Sequence, residues 1–279
     1  MNSAQRSNSE GVHVTQTGQP IAYTLHSGDP ASPRPRITLI HSLAMNRDFW
    51  STVVQPLSTL ADILTFDVRG HGKSVFSGTA YTAGDVADDL SDLLDHIGWS
   101  ACAVAGASMG GCLGLAFADK YPQKTSALCM IDSTAWYGAD APLKWSERAD
   151  KALKEGMSAL ADFQKTRWFS DQFRESTPSV VEHAISIFKQ NDPTSFKKTC
   201  TMMGDFDYRH SLPNLKMPVS ILVGEDDYAT PIQMSELLHQ SIPNSTLEVI
   251  KGARHLTPLE CPEIVVEALI KLLETKVSL

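Results

Sequence analysis

Val104-Ala105-Gly106-Ala107-Ser108-Met109-Gly110-Gly111 joins an apolar run to a cluster of small residues through Gly-x-Ser-x-Gly. A serine on a sharp strand-to-helix turn takes a strained backbone, and glycines two residues to either side let strand and helix approach closely. Small residues also surround serines in ordinary tight turns, so the flanking sequence decides. Residues 101–105 are a short apolar run, and residues 112–118 continue at helical spacing up to Tyr121-Pro122, where the proline stops the helix. The stretch therefore reads as a nucleophile elbow. The Ser108 hydroxyl would stand above a sheet, backed by a helix N-terminus that favours developing negative charge.

Working outward, short apolar runs at 19–25, 36–40, 63–66, 102–105 and 127–131 alternate with helical stretches at 46–60 and 83–97. That alternation predicts a mostly parallel sheet. In the second helix Val86, Leu90, Leu93, Leu94 and Ile97 share one face, and Asp85, Asp88, Asp89 and Asp92 are expected to face water. From 133 to 212 the pattern is helical without a convincing strand. Strands resume at 219–223 and 246–250, and a closing helix follows from Pro262. The division is thus a disordered tail at 1–10, a core built from 11–132 and 213–279, and an inserted helical cap at 133–212.

The 279 residues are long enough to bury a large core. A formal charge of −8 and the lack of any basic run longer than Lys197-Lys198 argue against nucleic acid. No apolar run approaches a membrane span and the first residues have no signal-peptide core, so cytoplasmic residence is the default expectation. Five cysteines without Cys-x-x-Cys pairing read as reduced, buried apolar residues, and no metal or cofactor is implied. A homo-oligomer is left open.

A serine nucleophile needs a base, and the base needs an orienting carboxylate. Gly224-Glu225-Asp226-Asp227-Tyr228-Ala229-Thr230-Pro231 follows one predicted strand, and Gly252-Ala253-Arg254-His255 follows the last. Both would lie on the rim that carries Ser108. Spacing favours Asp227 as the acid, with Asp226 in reserve, and His255 as the base. Taken singly, each would more often be a turn or surface residue; their order and strand-end placement favour a triad. His41-Ser42-Leu43-Ala44 follows a strand where an oxyanion loop belongs, so the backbone N–H groups of Leu43 and Met109 are the expected donors and His41 is structural. Asp67-Val68-Arg69-Gly70-His71-Gly72-Lys73-Ser74 lacks phosphate-loop spacing and reads as a tight turn shaping the pocket floor.

Taken together, these motifs resemble the α/β-hydrolase superfamily over nearly the whole chain. Ser42-Leu43 with Trp50, Ser108-Met109-Gly110-Gly111, Trp145-Ser146-Glu147-Arg148, Gly156-Met157 and Arg167-Trp168-Phe169 resemble the 3-oxoadipate enol-lactonase group. The resemblance implies an α/β-hydrolase fold, an eight-stranded mostly parallel sheet with an inserted helical cap. It implies attack of Ser108 on a lactone carbonyl, with no cofactor. Because such a lactone carries a carboxylate, a local cation is required, and Arg148 or Arg167 is the candidate. Ser42, Trp136 and Trp145 complete the expected substrate contacts, and Trp168 is open between pocket wall and cap core. The sequence departs from that group at His41 and Ala44, where asparagine and glycine are usual. Carboxylesterase, carbon–carbon bond hydrolase and perhydrolase use the same triad, and a slow-turnover small-molecule receptor is the reading from another class.

Overall fold

In the computed structural model, which describes residues 7–28 and 34–275, eight strands form one sheet. They are β1 (Ser7–Val14), β2 (Pro20–Ser27), β3 (Arg36–Ile40), β4 (Asp62–Phe66), β5 (Cys102–Ala107), β6 (Thr125–Ile131), β7 (Val219–Gly224) and β8 (Ser245–Ile250). Their spatial order is β1-β2-β4-β3-β5-β6-β7-β8. β2 pairs antiparallel with β1 and β4, and every other pairing is parallel. Helices cover both faces of a parallel sheet, so its central strands need no polar alternation. β5 accordingly reads Cys-Ala-Val-Ala-Gly-Ala with every residue buried.

The sheet begins earlier than the sequence suggested. Residues 7–10, assigned from sequence to a disordered tail, open β1, where Ser7 lies opposite Ser27 and Glu10 opposite Thr24. The rest of that tail, residues 1–6, lies outside the described residues. β1 is an edge strand whose apolar residues Val12 and Val14 are exposed, so it has no buried face for a hydrophobic pattern to record.

The helix Ala83–His96 starts at a capping box: Thr82 Oγ1 accepts the Asp85 N–H at 3.1 Å, and Asp85 Oδ2 accepts the Thr82 N–H at 2.7 Å. Its apolar face is buried as expected, but Asp89 does not face water. Asp89 is 1% exposed and accepts both Arg69 Nε and Nη2 at 2.7 Å. A bidentate guanidinium supplies the partner that such a buried carboxylate requires.

Between β6 and β7 the described elements are helical: Ala141–Glu155, Ala161–Trp168, Asp171–Ser176, Pro178–Lys189 and Pro193–Gly204, with short 3₁₀ turns at Met157–Leu160 and Leu212–Asn214. They share an aromatic core in which Phe188 makes edge contacts with Trp168 at 5.4 Å and Phe196 at 6.1 Å. A bridge between Trp136 and Asp207 ties the two ends of the block together. Four of the five free cysteines are buried, and Cys261 is partly exposed. No helix among the described residues is long and apolar enough to cross a membrane.

The helix Met109–Lys120 runs directly behind β5 and β3. A Cβ on Gly106 would overlap the Gly110 carbonyl, and one on Gly110 would overlap the Ile40 carbonyl. Backbone atoms cannot yield as a side chain can. Gly110→Ala is expected to cost about 3 kcal/mol or more in urea unfolding; a variant as stable as the parent would contradict the close packing.

Candidate active site

The strand-to-helix turn places Ser108 at φ 54°, ψ −117°, as the residue capping Met109–Lys120. Positive φ is unfavourable for a side chain with a Cβ, and it persists only where surrounding structure enforces it. Here the Ser108 N–H donates to Ile131 O at 2.8 Å, and Ser133 Oγ donates to Ser108 O at 3.0 Å. The hydroxyl faces a cavity of about 620 Å³ above the carboxyl ends of the strands.

His255 bridges two side chains. Its Nε2 lies 2.8 Å from Ser108 Oγ, and its Nδ1 lies 2.8 Å from Asp227 Oδ2. Asp227 Oδ1 accepts the N–H groups of Ala229 and Thr230 at 2.6 and 3.0 Å, and Oδ2 also accepts the Thr230 hydroxyl at 2.8 Å. Burial alone would raise the Asp227 carboxyl, but the neighbouring His255 and these donors outweigh it and hold it below its ordinary range. Asp226, the reserve candidate, lies on the exposed side of the same turn, where its backbone N–H donates to Ala253 O.

A second carboxylate, not singled out from sequence, holds the two loops together. Asp132 is fully buried at φ 49° at the end of β6. Its Oδ1 accepts the Gly224 N–H at 3.1 Å, and its Oδ2 accepts the Thr257 N–H and hydroxyl at 3.0 and 2.8 Å. Gly224 precedes Asp227 by three residues and Thr257 follows His255 by two, so one side chain spans the bases of both loops. Burial, then the Asp227 charge, push its carboxyl well above the ordinary range.

Leu43 and Met109 flank the serine from the loop after β3 and from the helix start. Neither backbone N–H donates to an acceptor among the described residues. Buried His41 braces this loop. Its Nε2 accepts the Val68 N–H at 3.0 Å, which leaves Nδ1 to donate to Ser42 O at 2.8 Å. Ala44 follows at φ 57°, a conformation that suits glycine better, and Asn191 from the helical block donates to its carbonyl at 2.8 Å.

Ser42 and Leu43 line the cavity beside Ser108. The helix Ala141–Glu155 contributes Lys144, Trp145, Glu147, Arg148 and Lys151, of which Trp145, Arg148 and Lys151, three residues apart, share one face. The helix Ala161–Trp168 contributes Phe163, Gln164, Arg167 and Trp168. The Arg148 guanidinium lies 4.6 Å from the Trp145 ring centre, and that of Arg167 lies 5.4 Å from the Phe163 ring centre. Among the described residues neither guanidinium has a hydrogen bond or an ion pair. Burial lowers the pKa of both, and the Arg148 charge lowers that of Arg167 further.

Two sequence expectations are corrected. Trp136 does not reach the cavity; it pairs with Asp207, and the Arg209 guanidinium covers its ring at 3.7 Å. The next residue, Tyr137, lines the cavity instead. The 67–74 turn does not form the cavity floor. It packs behind the Ser42–Leu43 loop, where His71 meets His41 at 5.1 Å between ring centres, and Gly70 and Gly72 open onto a separate cleft. The sequence reading also missed Gln164, a 2%-exposed carboxamide in the cavity wall. Its one available signal was its position one helical turn before Arg167.

A family model described as the alpha/beta hydrolase fold matches residues 35–262. The chain belongs to this family. A 3-oxoadipate enol-lactonase of Acinetobacter baylyi is 28% identical over 260 residues, covering 92% of this chain and 96% of that one. Among solved structures of the family, the enol-lactonase from Burkholderia xenovorans superposes with a TM-score of 0.89 at 27% identity, covering 94% of this chain and 99% of that one. A thermophilic esterase from Thermogutta terrifontis, solved with malate bound, gives 0.88 at 26% identity, with 95% and 98% coverage.

The buried histidines generate a pH test. Burial holds His41 down at about 4, and burial followed by the His41 charge holds His71 at about 3. In the unfolded chain both take up protons near pH 6.5. The unfolded state therefore binds more protons from about pH 6.5 down to about 4 for His41 and about 3 for His71, so their contribution is complete above that window and is lost as pH falls through it. Urea unfolding should show this decline, and His71→Gln should flatten it by about 1 kcal/mol per pH unit. Equal slopes for variant and parent would show that His71 takes up its proton over the same pH range in the folded and the unfolded chain.

Proposed function

We propose that the chain is a serine hydrolase that opens a small lactone, or cleaves a small carboxylic ester, through an acyl-enzyme on Ser108. The observation that carries this reading is the pair of 2.8 Å contacts through which His255 joins Ser108 to Asp227. Ser108 Oγ attacks the substrate carbonyl carbon while His255 Nε2 takes its proton, and Asp227 holds the imidazolium at Nδ1. The tetrahedral oxyanion accepts the free N–H groups of Leu43 and Met109. As the carbon–oxygen bond breaks, His255 gives its proton to the leaving oxygen. A water then yields a proton to His255 and its hydroxyl to the acyl carbon, and Ser108 recovers its proton as it departs.

The substrate class follows from the cap, for which we take residues 133–212. Two guanidiniums unpaired among the described residues, both disfavoured by burial and Arg167 further by the Arg148 charge, are relieved by a bound anion. A lactone or ester bearing a carboxylate, held by Arg148 and Arg167 with Trp145 and Ser42 along its ring, fits this end of the cavity. The enol-lactonase relatives and the malate in the Thermogutta terrifontis esterase support an acidic substrate.

A carboxymethyl-substituted enol-lactone and a neutral phenyl ester, assayed side by side, test both parts. Ser108→Ala is expected to lower kcat on the order of 10⁴-fold or more for each. Arg148→Ala and Arg167→Ala should raise KM for the lactone about 10- to 100-fold with little change for the neutral ester. Unchanged turnover in Ser108→Ala ends the mechanism. Preference of the parent for the neutral ester ends the acidic-substrate assignment.

A further inference from the structure

One side chain outside the cavity joins the cap to the histidine loop. Arg254 precedes His255, and its side chain is 14% exposed yet does not line the cavity. Its Nη1 donates to Thr166 O at 2.7 Å and to Phe169 O at 3.0 Å, and its Nη2 lies 3.0 Å from Asp171 Oδ1. Its guanidinium also lies 5.0 Å from the ring centre of Tyr228, the neighbour of Asp227. The helix Ala161–Trp168 ends here with carbonyls that have no partner within the helix, and a cation at that end is favourable on two counts. Arg254 thus caps a cap helix from a different part of the chain.

The backbone repeats the connection. The N–H groups of His255 and Leu256 both donate to Trp168 O at 3.1 Å. Glu260 closes it, accepting the Arg254 N–H at 3.1 Å through Oε2 and the Ser170 N–H at 3.2 Å through Oε1. The joined segment, 166–171, is the one that carries Arg167 and Trp168 to the cavity.

We propose that Arg254 is a positioning residue that holds the cap's Arg167 and the base His255 in one rigid frame. Removing it loosens the anion-binding end and the proton-transfer end together. The inference rests on the hydrolase reading given above, because it assigns work to both residues. Loss of the guanidinium leaves the carbonyls of Thr166 and Phe169 without donors and frees the helix end that sets the Arg167 side chain. It also removes the side-chain tie between the cap and the loop whose imidazole must stay within hydrogen-bond reach of Ser108 Oγ, leaving the backbone and Glu260 contacts.

Arg254→Gln and Arg254→Lys are compared with the parent by three measurements: the rate at which a neutral fluorophosphonate labels Ser108, the KM values for the acidic lactone and the neutral ester, and Tm. Labelling requires an aligned His255 but no particular substrate. In Arg254→Gln, labelling is expected to slow about 10- to 100-fold, and KM for the lactone to rise relative to that for the ester. Arg254→Lys, which keeps a cation at the helix end, should restore part of both. The proposal is overturned if Arg254→Gln labels and binds as the parent does. It is overturned equally if both effects only track a fall in Tm that Arg254→Lys leaves uncorrected. A parent whose Ser108 resists the reagent overturns the hydrolase reading and this proposal with it, which distinguishes that failure from the other two.

Discussion

A serine held at φ 54° against a helix that touches the sheet backbone is the constraint on which the other parts depend. The turn is strained on its own, and it is held because β5 and β6 fix both of its flanks and glycines at 106 and 110 leave no atoms in the way. Given that turn, the sheet order decides the rest. β6, β7 and β8 lie successively to one side of β5, so the loops that follow β7 and β8 rise on the same rim as Ser108. Asp132, itself at φ 49°, then secures those loops through their backbone N–H groups. Strain thus recurs at two adjoining strand ends, and in both cases hydrogen bonds from neighbouring strands or loops hold it.

The arginines divide into two kinds. Arg47 and Arg69 are buried against Asp67 and Asp89, with contacts of 2.6 and 2.7 Å, and brace the loops after β3 and β4. A buried ion pair of this sort is expensive to break and adds little over an apolar replacement. Arg148 and Arg167 are half-buried on the cavity wall, with aromatic rings beside them and no ion pair among the described residues. Their desolvation is left uncompensated within the protein, and the difference lies in what each pair faces.

Ser108, Asp227 and His255, which the structure brings together, could be picked out from sequence because each sits where an apolar run meets small or polar residues, a junction that a linear pattern records directly. The parallel core strands were visible for the same reason. β1 was invisible because an exposed edge strand has no apolar face. Asp89 was misassigned because a helical face says which residues point inward but not which polar one will meet an arginine from a remote loop. Tyr137 lines the cavity in place of Trp136 because a one-residue difference after a strand end reverses direction, and only the bridge to Asp207 settles it. Asp132 left no local signature, since its importance lies in partners up to 125 residues away, and Gln164 left only its place one helical turn before Arg167.

The span of these contacts has a consequence for how the molecule comes into being. His255 reaches Ser108 across 147 residues, and Arg254 reaches the cap across 85 to 88. During synthesis the serine, its loop donors and the whole helical block emerge before the acid and the histidine exist. Four residues of the cavity wall, Tyr228, Ala229, Met234 and His255, also belong to that last-made part of the chain. Ser108, His255 and Asp227 can therefore come within hydrogen-bond reach of one another only after β8 has been made and the loop that follows it lies against Trp168.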